Sequence, residues 1–107
     1  MKQLHVTELH RWLEQAPEQQ PQLLDVREDW ELGIARLPGS IHIPMREIPS
    51  RWRELDRGRP LVCICHHGVR SLQVAIYLAR HGIDPIYNLV GGIDAWAREV
   101  DRECPTY

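Results

Sequence analysis

The chain has 107 residues, of which 43% are hydrophobic and 26% charged, and its formal net charge is −2. This composition suits one globular domain, residues 1–107, with a single core, and so slight a charge supplies no field for capturing nucleic acid or an anionic membrane. No run approaches the roughly 20 apolar residues of a membrane span, no secretory apolar stretch opens the chain, and an odd count of 3 cysteines suits free thiols in a reducing cytoplasm.

The N-terminal residues Met1 to His5 begin an amphipathic pattern. Thr7 is expected to cap a helix over about 8–15, where Leu9, Trp12 and Leu13 form the apolar stripe and Pro17 ends the element. Residues 22–26 read as a short strand, followed by the polar turn Arg27-Glu28-Asp29 and a short helix from Trp30 to Ile34. Leu37-Pro38-Gly39-Ser40 is a turn, and Ile41-His42-Ile43 a strand stopped by Pro44. Helical spacing over 45–55 is expected to be broken by Pro49, with a loop over 56–60. A buried strand over 61–65 then leads through a turn to a helix over 71–80, whose apolar face is read as Leu72, Ala75, Ile76 and Ala79. His81-Gly82 stops that helix, 85–89 is a final strand, and Val90-Gly91-Gly92 connects it to a helix over 93–99. Short strands alternating with helices indicate an α/β domain with a mainly parallel sheet covered on both faces. Trp12, Trp30, Trp52 and Trp96 are expected to be core or half-buried anchors.

The segment Cys65-His66-His67-Gly68-Val69-Arg70-Ser71 carries the chemistry. It places a thiol in a strand-to-helix turn, where successive backbone N–H groups and the positive end of a helix dipole face whatever anion sits at the centre. Gly68 permits the curled backbone. Helix N-termini and neighbouring cations favour the thiolate form of a cysteine, and ligands of α/β sheets bind beyond the carboxyl ends of the strands. Cys65 is therefore the candidate nucleophile. Cys63, two residues back on the strand, is expected to pack in the core, and Cys104 to lie exposed in a polar tail without an indicated role. Cys-x-Cys-His-His is not the Cys-x₂₋₄-Cys spacing of structural zinc sites and lacks a downstream ligand pair, so no metal is expected. Asp25 and Arg27 follow a strand end and are read chiefly as a structural ion pair, with catalysis the alternative. His42 is read as a packing residue.

Four segments together resemble the rhodanese family of sulfurtransferases, in its single-domain form. They are Cys65, Gly68, Arg70 and Ser71 of the loop, Leu24-Asp25-Val26-Arg27-Glu28, Leu37-Pro38-Gly39-Ser40-Ile41-His42-Ile43-Pro44, and Gly91-Gly92-Ile93-Asp94-Ala95-Trp96. The resemblance implies a three-layer rhodanese-like domain with about five parallel strands. It also implies transfer of a sulfane sulfur from thiosulfate or a related persulfide, through a Cys65 persulfide, to cyanide, a thiol or a protein acceptor, with no cofactor. On that reading the loop from His66 to Ser71 surrounds the sulfur. Arg70 either binds the sulfonate end of the donor or stabilises the loop, and His66 and His67 add partial positive charge at the opening. Nothing in the sequence demands more than a monomer. Two alternatives compete. One is a non-catalytic rhodanese-like module that binds a protein through the same surface. The other is a phosphatase or arsenate reductase-like enzyme, disfavoured because Arg70 gives Cys-x₄-Arg where those catalysts carry Cys-x₅-Arg and because no general acid is identifiable.

Overall fold

A computed structural model describes residues 1–107. Its five strands are β1 (Lys2–Leu4), β2 (Gln22–Asp25), β3 (Ile41–His42), β4 (Leu61–Ile64) and β5 (Ile86–Leu89), all parallel and in the order β1-β5-β4-β2-β3. The helices are α1 (Val6–Leu13), α2 (Asp29–Ile34), α3 (Ile48–Arg51), α4 (Val69–Arg80) and α5 (Gly92–Glu99). The expected α/β architecture is the one observed.

The central strand β4 shows why the sheet is covered on both sides. Its side chains alternate between faces: Leu61 and Cys63 join one buried cluster with Val74, Ala75 and Leu78 of α4 and Ile48 of α3. Val62 and Ile64 join the other, with Val6 and Leu9 of α1 and Ile93 and Trp96 of α5. All four are completely buried, which is the continuous apolar reading of a central parallel strand.

Several boundaries and faces differ from expectation. The N-terminus opens with β1, an edge strand whose Lys2 and Gln3 are exposed and whose pairing with β5 leaves little hydrophobic signature. α1 starts at Val6, because the Glu8 carboxylate accepts the His5 backbone N–H at 3.0 Å, so Thr7 lies inside the helix and does not cap it. Pro49 falls in the first turn of α3, where its missing N–H costs nothing, and it starts that helix where a break was expected. The helical pieces on either side are the 3₁₀ turns Met45–Glu47 and Trp52–Glu54. α4 begins at Val69, two residues early, and buries Ser71, Val74, Ala75 and Leu78. Ile76, read as part of its apolar face, is exposed because a polar Ser71 is what points inward. Trp30 is also exposed, at 64%, and not an anchor.

Candidate active site

β4 delivers Cys65 to the carboxyl edge of the sheet, next to the end of β2, and the chain turns at once into α4. The turn is possible because Gly68 has φ +96°, a left-handed conformation that side chains resist. Curling there directs the Gly68 N–H at Cys65 Sγ, 3.1 Å away. The first turn of α4 brings a second donor, the Ser71 hydroxyl, 3.2 Å from the same sulfur. Ser71 Oγ is also 2.5 Å from Asn88 Oδ1 on β5. A hydroxyl has one proton, so Ser71 can turn from Asn88 to Sγ as the sulfur becomes anionic. The Asn88 amide is fixed in its turn, donating to the Gly68 carbonyl at 3.1 Å and to Gln3 Oε1 at 2.9 Å.

The other side of the loop is held by α5. Ile93 N–H donates to the Cys65 carbonyl at 2.9 Å, and Asp94 N–H to the His66 carbonyl at 3.1 Å. This approach requires Gly92, since a Cβ there would overlap both carbonyls, and its φ is +58°. The Gly91-Gly92 segment is thus part of the site's frame.

Arg70 does not point a free guanidinium at the sulfur. It forms a bidentate pair with Glu31 of α2, at 2.7 and 2.8 Å. The Arg70 guanidinium holds the Glu31 carboxyl down at about 2, helped by backbone and Tyr107 hydrogen bonds against the opposing effect of burial. Tyr107 donates its hydroxyl to Glu31 Oε2 at 2.8 Å and accepts from Arg27 Nη1 at 2.7 Å. Burial pushes that phenol up to about 12. Arg27, completely buried, pairs with Asp25 at 2.7 Å and donates to the Ala35 carbonyl at 2.7 Å. Asp25, Arg27, Tyr107, Glu31 and Arg70 therefore form one continuous polar chain beside the loop. His42 Nε2 lies 2.6 Å from the Arg27 carbonyl.

His66 is stacked between two rings, Tyr107 at 3.8 Å with planes 6° apart and His67 at 3.9 Å. Burial, with His67 beside it, lowers its basicity, which works against the partial positive charge expected at His66. His67 is largely exposed and lies 3.9 Å from Asp94. Val69 is also exposed, at the first position of α4. Cys65 itself is fully buried, and no cavity of the molecule is lined by it. Cys63 is buried and its thiol is pushed far up by desolvation, which leaves it inert. Cys104 is half-buried against the second cluster, not exposed as expected. Glu31, Asn88 and Tyr107 were not singled out in the sequence; each is a polar residue whose side-chain partners lie at least 17 positions away.

The family model for the rhodanese-like domain matches residues 5–99. The chain belongs to the rhodanese-like domain family. Thiosulfate sulfurtransferase GlpE of Pseudomonas syringae pv. syringae is 34% identical over 86 residues, covering 80% of this chain and 81% of that protein. The chloroplastic rhodanese-like/PpiC domain-containing protein 12 of Arabidopsis thaliana is 37% identical over 112 residues, and this chain spans 38% of its length. A crystal structure of a rhodanese-like domain protein from Staphylococcus aureus superposes with a TM-score of 0.83 at 33% identity, covering 100% of this chain and 99% of that one. The rhodanese family thus has sulfurtransferase-named members similar to this chain over most of its length.

Proposed function

We propose that this rhodanese-like domain, spanning residues 1–107, is a sulfurtransferase that carries a sulfane sulfur on Cys65. The observation that carries the reading is the pair of donors aimed at Cys65 Sγ from a strand-to-helix turn, Gly68 N–H at 3.1 Å and the Ser71 hydroxyl at 3.2 Å. Two hydrogen bonds to one sulfur stabilise its anionic form, and fixed donors lose nothing to reorganisation when the charge develops. The thiolate attacks the outer sulfur of thiosulfate. The sulfur–sulfur bond of the donor breaks, sulfite leaves with the bonding pair, and the anionic persulfide of Cys65 remains. A second nucleophile, cyanide or a thiol, attacks the terminal sulfur and returns the Cys65 thiolate. No metal or organic cofactor enters either half-reaction.

Arg70 acts in this scheme by shaping the loop. Both of its donor faces used here are committed to Glu31, which supports a positioning role over direct capture of the sulfonate. The same commitment argues against the phosphatase-like alternative, since a tetrahedral oxyanion would need that guanidinium. Three free cysteines suit a reducing compartment such as the cytoplasm, and no helix is long and apolar enough to cross a membrane. The proposed chemistry calls for no more than a monomer.

The complete burial of Cys65 is the observation that favours the second reading, a module that binds a protein through the loop surface without turnover. Intact-protein mass spectrometry separates the two. Wild type treated with thiosulfate and desalted should gain one sulfur, lose it to cyanide as thiocyanate, and show neither event in Cys65→Ala. Absence of the adduct with thiosulfate and with a low-molecular-weight persulfide, while Cys65 still alkylates, would overturn the sulfurtransferase reading in favour of the binding module.

A further inference from the structure

We propose that His66, His67 and Asp94 form a binding site for a divalent transition-metal ion of the zinc class at the rim of the Cys65 loop. The ligand atoms of these three side chains all lie within 4.8 Å of one another, with His67 Nε2 3.9 Å from Asp94 Oδ2. Two imidazoles and one carboxylate are a donor set suited to borderline cations such as zinc. Tetrahedral zinc with bonds of about 2.0–2.1 Å requires donors about 3.3 Å apart. The present separations, 3.9 Å between His67 and Asp94 and at most 4.8 Å elsewhere, are wider by about 0.6 to 1.5 Å. His67, whose side chain is 61% exposed, can move toward the other two groups by side-chain rotation without moving the backbone.

The frame of the site already exists. His66 and Asp94 are tied through the main chain, because Asp94 N–H donates to the His66 carbonyl at 3.1 Å. The His66 ring plane is fixed by its stack on Tyr107. His66 Nε2 is buried and has no hydrogen-bond partner, which is a cost in a folded protein unless something occupies it. Arg98 bonds Asp94 Oδ2 at 3.0 Å; being exposed, it can swing to solvent or stay as an outer partner of the carboxylate, as metal-bound carboxylates commonly have. Cys63 and Cys65, the thiols of the Cys-x-Cys-His-His sequence, are not in the cluster. The histidines of that sequence pair instead with an acid contributed by α5.

The obvious competitor for zinc is the Cys65 thiolate alone, so the test removes each group separately. Titration of the full chain with zinc chloride, followed by calorimetry, is carried out on wild type, Cys65→Ala, His67→Ala and Asp94→Asn. His67 is largely exposed, Asp94 is half-buried, and neither belongs to the two hydrophobic clusters, so their replacement should leave the fold intact, which far-UV circular dichroism checks. The expected result is one equivalent of zinc bound by wild type and by Cys65→Ala. Affinity should fall in His67→Ala and in Asp94→Asn by at least the 10–100-fold, roughly, that loss of an outer-shell partner costs. In the first two proteins, zinc should also shift the His66 imidazole resonances. No binding by wild type, binding unaltered by both rim variants, or binding abolished by Cys65→Ala alone overturns the proposal. None of these readouts depends on sulfur transfer, so the metal site and the proposed activity stand or fall separately.

Discussion

Replacing Glu31 with Gln tests the polar chain that braces the Cys65 loop. In the native protein the Glu31 carboxylate is buried, with a side chain 4% exposed, and it receives both Arg70 nitrogens and the Tyr107 hydroxyl. Its carboxyl is held down from 4.5 to about 2, foremost by the Arg70 hydrogen bonds. At about 1.4 kcal/mol per pH unit that corresponds to roughly 3–4 kcal/mol. Water reaches the partner, because the Arg70 side chain is 36% exposed, and screening brings the expected contribution to about 2 kcal/mol. A carboxyl depressed on folding contributes stability that is fully present above its unfolded value and is lost as pH falls toward its folded value. The window here is therefore from 4.5 down to about 2. Urea unfolding of wild type and Glu31→Gln at a series of pH values reads the effect. The two stabilities should differ by about 2 kcal/mol at pH 7, and the difference should shrink steadily as the pH drops through that window. A difference that is independent of pH would show that Glu31 contributes packing or neutral hydrogen bonds and not the charge pair, and would refute the electrostatic argument.

Two further substitutions probe the frame around Cys65. Gly92→Ala should destabilise the protein by at least about 1–3 kcal/mol from backbone strain alone, since φ is +58° and the new Cβ would overlap the Cys65 and His66 carbonyls. A chemical-denaturation midpoint equal to wild type would contradict that packing. Ser71→Ala removes one of the two donors to Cys65 Sγ and should slow persulfidation by thiosulfate about tenfold, the equivalent of about 1.4 kcal/mol. Stopped-flow mass spectrometry of the adduct measures it, and an unchanged rate would mean that Gly68 N–H alone supports the thiolate.

The sheet was legible in the sequence because its central strands are continuously apolar and bounded by turn residues. Residues 61–65 could be assigned from composition alone, and the observed β4 stops one residue short, at Ile64, where the backbone begins to curl. The edge was not legible. β1 presents only Leu4 to the core, and a three-residue strand that buries one side chain cannot be told from the start of an amphipathic helix. The face of α4 was misread for a related reason. Counting apolar residues placed Ile76 inward, whereas the helix is oriented by Ser71, a polar residue drawn in by Cys65 and Asn88. Hydrophobic periodicity reports packing, and where a polar side chain finds buried hydrogen-bond partners those bonds take precedence over it.

The division between what could and could not be read at the site has the same physical origin. Cys65, Gly68 and Ser71 lie within one seven-residue segment, so their mutual geometry follows from one turn, and spacing alone locates them. The groups that hold this turn in place come from α2, β5, α5 and the chain terminus, at separations that spacing cannot encode. Arg70 shows the consequence. Considered within its own segment it is a cation beside a nucleophile, and donor binding is a natural role. Beside Glu31, 39 residues earlier, it is one end of a polar chain that runs through Tyr107 to the buried Arg27–Asp25 pair at the end of β2. A guanidinium committed in this way resists displacement: freeing it to meet a donor anion would leave the buried Glu31 with Tyr107 as its remaining side-chain donor, a penalty that grows with burial. On the proposed sulfurtransferase reading, the loop's anion-stabilising capacity is then carried by a backbone N–H and a hydroxyl, Gly68 and Ser71, while the charged residues are consumed in making those groups rigid.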